Sequence, residues 1–229
     1  MIQSLSALLP VFNAQATLIP TLDVLLETLP EVAESFDILV MVNGATDATT
    51  EVMHDMAGEY PQLRYMVLGE RAGTAEVLRR GLNHTPGQTI LFRDEDCPLN
   101  LGQLHKLLAA QSEASVTFAR RTSKASVGSI PRLPKTHGHA WSGAAPTLML
   151  FPRRLAEGWL VSPEEGDMAS LARHIVNQRV AYREVELGDQ IAHPAHALSI
   201  APGATKPKAA PVPRRPSYLK RLREFALGE

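Results

Sequence analysis

Short apolar runs alternate along this chain with stretches in which leucine and its relatives recur every three or four residues. The runs at residues 5–12, 36–42, 63–68 and 89–92 have the length of strands buried on both faces. Between them, residues 16–29 carry Leu18, Leu22, Leu25, Leu26 and Leu29 at helical spacing. Residues 46–58 read as a second helix with Thr46 or Asp47 near its start. Residues 72–83 read as a third, with Val77, Leu78 and Leu82. Strands alternating with helices of this length predict an α/β fold with a mostly parallel central sheet, helices on both faces and right-handed crossovers.

Past residue 96 the alternation loosens. A helix at 101–111, a strand at 115–120, a strand at 147–151, a helix at 164–178 and a closing strand at 180–187 are predicted. Residues 122–143, rich in Ser, Gly, Pro and His, read as a long loop. His137 and His139, beside Trp141, lack a third ligand and belong to that loop. From 193 the chain turns into a Pro/Ala/Lys-rich linker and a short basic amphipathic segment at 218–225. The organisation expected is one domain over 1–192, followed by the tail 193–229.

With 229 residues and 45% hydrophobic content, the chain can bury a sizeable core. A net charge of −1 argues against nucleic acid as the partner. The single cysteine, Cys97, excludes an internal disulfide framework and fits a reducing compartment. The N-terminus lacks a basic n-region and no apolar run approaches ~18 residues, so a soluble cytoplasmic protein is expected. The tail changes that picture in one respect. Seven basic residues lie between Lys206 and Arg223 with no acid among them, and Leu219, Leu222 and Phe225 add an apolar edge. It reads either as a solubilising extension or as a peripheral contact with the inner face of a membrane.

The candidate chemistry clusters where an open α/β sheet binds ligands, at the carboxyl ends of the strands. Pro10-Val-Phe-Asn13, Asn43-Gly-Ala-Thr-Asp47, Glu70-Arg-Ala-Gly73 and Asp94-Glu-Asp96 all fall there. Three acids at the end of a buried strand repel one another. A hard divalent cation shared with substrate phosphates would relieve the repulsion, whereas an acidic turn or a helix start explains the same residues without one. In the first three segments the polar residues are equally good turn formers and caps. Glu95, by strand alternation, is expected to point outward into solvent.

In order and spacing these segments resemble family-2 glycosyltransferases of the GT-A fold. Pro10-Val-Phe-Asn-Ala-Gln-Ala-Thr-Leu18 is similar to "PVYNxxxTL", Asn43-Gly-Ala-Thr-Asp-Ala-Thr49 to "DDGSTDGT", residues 71–81 to "RGxAAARNxG", and Ile90-Leu-Phe-Arg-Asp-Glu-Asp96 to "ILFLDADD", the DXD motif. Weaker matches follow at Phe151-Pro-Arg-Arg-Leu155 ("xxRRxxL", a strand-to-helix step), at 166–173 ("EDxxLxxR") and at 179–185 ("GxRVxEVPV"). The resemblance implies a GT-A-like domain with a Rossmann-like N-terminal half. It implies transfer of a sugar from a nucleotide-diphosphate donor to an acceptor (glycan, lipid-linked or small molecule), with Mg²⁺ or Mn²⁺ neutralising the diphosphate leaving group. Pro10, Phe12, Asn13, Asn43 and Asp47 would surround the nucleoside, and Arg71 the base or diphosphate. Asp94 and Asp96 would meet the ribose and the metal, with Asp96 the stronger ligand. Asp167, or Glu165 or Glu164 in its place, would be the general base, although Asp167 also has the position of an ordinary helix-start acid.

Three positions depart from that pattern. Val42 stands where the family carries an acid, Ala45 where it carries Ser, and Gly166 where "ED" has its Glu. A glycosyltransferase-like protein that binds nucleotide, sugar or partner without catalysis is the alternative these departures leave open. A nucleotidyltransferase, whose sheet is similar, would want a charged Gly-rich loop after the first strand, and Asn13-Ala-Gln-Ala16 supplies none.

Overall fold

In the computed structural model, residues 1–95, 99, 101–111, 115–121, 145–160 and 166–187 are described. Their elements run β1 (Ile2–Val11), α1 (Leu18–Val32), β2 (Ala33–Asn43), α2 (Thr49–Glu59), β3 (Leu63–Leu68), α3 (Thr74–Asn83), β4 (Thr89–Arg93), α4 (Leu101–Gln111), β5 (Val116–Arg121), β6 (Leu148–Pro152), α5 (Arg153–Leu160), α6 (Met168–Asn177) and β7 (Tyr182–Leu187). Met1–Asp189 forms one compact unit. A second unit, Gln190–Glu229, lies outside the described residues, as do the 122–143 loop and Cys97.

Seven strands form one sheet in the order β3-β2-β1-β4-β6-β5-β7. β6 runs antiparallel to β4 and β5, and every other neighbouring pair is parallel. The two faces follow from the period-two alternation of the strands. Leu5, Ala7, Leu9 and Val11 of β1 join a core shared with Leu22 and Leu25 of α1, Met53 of α2 and Leu104 and Leu107 of α4. Leu8 belongs to the opposite core, with Val77, Leu78 and Leu82 of α3, Trp159 of α5 and Leu171 and Ile175 of α6. Each such leucine or isoleucine, fully buried, contributes roughly 1.5–3 kcal/mol of transfer free energy. The α/β sheet covered on both faces is therefore as the periodicity predicts.

The differences are local. The predicted first helix stops at residue 29, yet α1 continues through Pro30 to Val32 and closes with the Ala33 N–H bonded to the Leu29 carbonyl. A proline in the last turn loses a single bond there, and Leu29 remains buried in the core. Helix α5 was implied only by the strand-to-helix resemblance. It has eight residues, and its buried positions Leu155, Ala156 and Trp159 span too short a window to establish a period. No helix among the described residues is long and apolar enough to cross a membrane.

Strand β1 is flanked by β2 on one side and β4 on the other, so successive crossovers diverge from it. The carboxyl ends of β1, β2, β3 and β4 thus open onto one edge at the switch in strand order, the position at which such sheets bind ligands.

Candidate active site

Two hydrogen-bonded networks organise that edge. The outer one joins the loop after β1 to the loop after β2. Asn13, held at a left-handed φ of 47°, accepts the Thr46 N–H through Oδ1 at 2.8 Å. Asn is among the few side chains that tolerate this backbone. Asp47 accepts the N–H groups of Gln15 at 3.2 Å and Thr49 at 3.0 Å, together with the Thr49 hydroxyl. The Thr49 hydroxyl accepts the Ala14 N–H at 2.8 Å, and the Gln15 side chain accepts the Ala48 N–H at 3.0 Å. Partial burial pushes the Asp47 carboxyl up, but the Thr49 hydroxyl and the Gln15 and Thr49 amides outweigh it and hold the group below the usual carboxylate range. Asn13 and Asp47, both expected beside the nucleoside, are thus the staple between the two loops. Gln15, which the sequence did not single out, is the third member.

The inner network crosses all four strand ends. Asn43, 3% exposed, accepts the Ala72 N–H at 2.8 Å and donates to the Ala72 carbonyl at 3.0 Å. Its second amide hydrogen goes to Glu95 Oε1 at 3.0 Å. Glu95 Oε2 takes the Arg71 guanidinium at 2.5 Å, and the guanidinium carbon sits 4.3 Å from the centre of the Phe12 ring. A cation stacked at that distance gains about 0.5–1 kcal/mol when exposed, as Arg71 largely is. Gly44, at φ 72°, makes the close approach possible: a β-carbon there would be strained and would meet the Arg71 backbone nitrogen at 3.1 Å.

Glu95 corrects the sequence reading. Its side chain is 14% exposed and turns into the network, not outward. β4 ends at Arg93, the Asp94 N–H bonds the Thr147 carbonyl at 2.8 Å, and Asp94 Oδ1 accepts the Glu95 N–H at 2.9 Å. The chain turns at that point, so strand alternation no longer governs where residue 95 points.

Beside this network lies a cleft of about 220 Å³, lined in part by Pro10, Asn43, Arg71, Gly73, Asp94 and Glu95. The buried Arg93, another residue the sequence reading passed over, contributes to the lining and donates to the Pro10 carbonyl at 3.3 Å. Its signal was the replacement of an apolar residue by a cation inside an otherwise apolar strand. A larger, more open concavity of about 760 Å³ lies at the opposite edge, among Met1, Gln3, Glu31, Thr89 and Leu108. The four motifs converge on the smaller cleft, at the carboxyl ends of the strands.

The remaining predicted residues divide. Asp96, Glu164 and Glu165 lie outside the described residues. Asp167 is exposed and caps α6, its Oδ1 accepting the Ser170 N–H at 2.7 Å, while its neighbour Met168 lines the cleft. Among the described residues no three His, Cys, Asp or Glu side chains gather as a metal cage. Magnesium-type sites need none, because they take one or two carboxylates and complete the shell with phosphate and water. Asp94, a hard oxygen donor lining the cleft, fits that chemistry.

Residues 6–179 match the sequence profile of Glycosyl transferase family 2. The chain belongs to that family. Glycosyltransferase AglD of Haloferax volcanii is 26% identical over 142 residues, which are 60% of this chain and 23% of AglD, so the chain spans less than a quarter of that relative. Two solved structures share the fold. Glucosyl-3-phosphoglycerate synthase from Mycobacterium tuberculosis, in complex with Mn²⁺, UDP and phosphoglyceric acid, superimposes with a TM-score of 0.57 at 18% identity, over 81% of this chain and 69% of that one. S. aureus TarS 1–349 in complex with UDP does so with a TM-score of 0.56 at 17% identity, over 82% of this chain and 59% of that one. The GT-A fold follows.

Within this glycosyltransferase domain, two departures from the family pattern have physical counterparts. Val42 is fully buried in the apolar core with Val11 and Val40, where an acid would face no water. Gly166 packs directly on the Trp159 indole, so residue 166 has no room for a side chain.

Proposed function

We propose that this domain transfers a sugar from a nucleotide-diphosphate donor bound in the cleft at the carboxyl ends of β1, β2 and β4. The observation that carries the reading is the Phe12–Arg71–Glu95–Asn43 chain beside Asp94, which brings four separate loops to one cleft. Phe12 and Pro10 offer apolar surface to a nucleoside, and Arg71 offers N–H groups to the base or diphosphate. Asn43 acts through the backbone: both polar groups of Ala72 are held by it, which fixes the loop carrying Arg71. Asn13 and Asp47 support the nucleoside side by fixing the two loops beneath it.

Asp94, with Asp96, would hold Mg²⁺ or Mn²⁺. The ion supplies charge neutralisation for the diphosphate as it leaves. Asp167 accepts the acceptor's proton in this reading, with Glu165 as its substitute. Oδ1 of Asp167 is engaged by the α6 cap at Ser170, and the adjoining residue Met168 lines the cleft. The acceptor is a hydroxyl-bearing glycan, lipid-linked or small molecule, and the basic tail would bring the domain to a membrane face.

The test is titration calorimetry with UDP, GDP and their sugars, with and without Mn²⁺. Metal-dependent nucleotide binding lost in Asp94→Asn is expected. A well-folded protein that binds none of these ligands would overturn the reading. A second reading, a nucleotide or sugar binder without transfer, is favoured by Val42 and by the absence of a side chain at Gly166. It predicts donor binding with no release of nucleoside diphosphate in the presence of any acceptor.

A further inference from the structure

We infer that Glu95 is an internal counter-anion for Arg71, holding the place that a diphosphate takes when it binds. This deepens the proposed donor site and rests on that reading for the identity of the natural ligand.

The geometry has three parts. The Arg71 guanidinium stands at the cleft, backed by the Phe12 ring at 4.3 Å, and its side chain is 55% exposed. Glu95 contacts it at 2.5 Å, with only 14% of its own side chain exposed. Glu95 is in turn fixed by the Asn43 amide at 3.0 Å, and Asn43 is fixed by both backbone groups of Ala72. The carboxylate is therefore presented to Arg71 by a rigid support and is not a surface group that has wandered there.

A carboxylate and a diphosphate are chemically alike to a guanidinium: each offers paired anionic oxygens to its N–H fork. The second anion cannot approach without meeting the first. With Glu95 and Asp94 both on the cleft, an incoming diphosphate faces two carboxylates, and part of its attraction to Arg71 is already satisfied. With Glu95 and Asp94 set against Arg71 and Arg93, the charges lining the cleft balance, which weakens binding of stray anions. A ligand engages Arg71 fully only by displacing Glu95. The released carboxylate then lies next to Asp94, adding one more acid to those that would meet a cation arriving with the ligand.

Glu95→Gln isolates this role. A glutamine keeps a carbonyl oxygen for the Asn43 amide, but its NH₂ cannot accept from Arg71, and the negative charge is gone. Inorganic pyrophosphate is the probe, titrated by calorimetry in metal-free buffer. UDP is titrated separately with Mn²⁺ present, as the donor reading requires, and thermal unfolding checks that the variant folds. Glu95→Gln is expected to bind pyrophosphate on the order of fivefold more tightly than the parent chain, the factor that about 1 kcal/mol gives. The gain should vanish when Arg71→Ala is added, because the effect runs through that guanidinium.

Unchanged or weaker pyrophosphate binding in a folded Glu95→Gln protein would overturn the inference, as would a gain that survives Arg71→Ala. The donor reading fails separately. If Glu95→Gln tightens pyrophosphate binding while no nucleotide binds, the counter-anion stands and the donor assignment does not. If UDP binds equally to both proteins and Arg71→Ala abolishes it, the donor site stands and the counter-anion does not.

Discussion

The Trp159 indole occupies the space in which a β-carbon of residue 166 would stand. Built on the Gly166 backbone, that carbon would overlap Cζ2 and lie 2.5 Å from Cη2 of the ring. Trp159 is 8% exposed and packs in the core formed with Met168 and Leu171, so it cannot swing aside without opening a cavity. The Gly166 carbonyl also accepts the Ala75 N–H at 3.2 Å, tying the first turn of α3 to the residue before the α6 cap. Packing therefore excludes a side chain at residue 166.

Gly166→Ala is expected to lower stability by about 2–3 kcal/mol, the penalty of forcing a methyl group into a filled site. Trp159→Leu alone also destabilises, because it removes a large buried ring. The diagnostic is the double variant. If the clash is the cause, the two changes should be strongly non-additive, the leucine leaving room for the alanine methyl. Urea midpoints of the four proteins measure this, and simple additivity would refute the explanation.

Much of this architecture can be read from sequence because buried strands and amphipathic helices leave periodic marks. β3 at Leu63–Leu68 and α4 at Leu101–Gln111 have the predicted bounds. The residues forming the cleft were legible as a group, since four motifs fall at four strand ends. Their individual tasks were not. Asn43 and Asp47 carry side chains that suit a ligand, a turn or a cap equally well, and only the fold decides that their partners are Ala72 and Gln15. Glu95 was misread because alternation was carried two residues past the end of β4. The Gly166–Trp159 contact joins positions seven apart, across the 161–165 segment, and no local pattern announces it.

Asp47 gives the staple a pH dependence. Its carboxyl is held below the usual range, burial working against the hydrogen bonds and losing to them. The charged form is thus favoured more in the folded chain than in the unfolded one. The stabilisation is present above the ordinary aspartate value of about 4 and is lost as pH falls through the lower folded value. Asp47→Ala should be less stable than the parent by about 1 kcal/mol at neutral pH, after discounting for solvent screening. The gap should close on acidification below about pH 4. Parallel urea curves from pH 7 to pH 3 test this, and a gap that widened in acid would contradict the assignment.

Arg153 lies at the other edge of the sheet, where it ties backbone carbonyls together. Its guanidinium donates to the carbonyls of Thr85 at 2.8 Å, Gly87 at 3.3 Å and Leu82, while Nε pairs with Glu157 at 2.9 Å. One cation thus closes the carboxyl end of α3 and the turn leading into β4, where a positive charge also suits the helix dipole. Arg153→Met keeps most of the aliphatic stem and should cost about 1.5–3 kcal/mol through the lost charged hydrogen bonds. Amide exchange in the last turn of α3 should quicken. Nucleotide affinity extrapolated to the fully folded protein should not change, and a selective loss of affinity would show that Arg153 reaches the cleft.

Phe12 is the support on which Arg71 rests, and the two make separable contributions. The ring is only partly buried, so Phe12→Leu should lower stability by less than the roughly 2 kcal/mol typical of a core truncation. Its effect on ligands should be larger than its effect on folding. Without an aromatic face the guanidinium loses about 0.5–1 kcal/mol of cation–π attraction and a rigid backing, while the Glu95 contact survives. Nucleoside diphosphate affinity should fall roughly two- to fivefold, and Phe12→Tyr should restore it. Calorimetry on the three proteins, with melting temperatures alongside, separates the outcomes. Equal affinity in the parent chain and in Phe12→Leu would mean that Arg71 is held by Glu95 alone, and that the aromatic ring serves only to close the β1 end of the cleft.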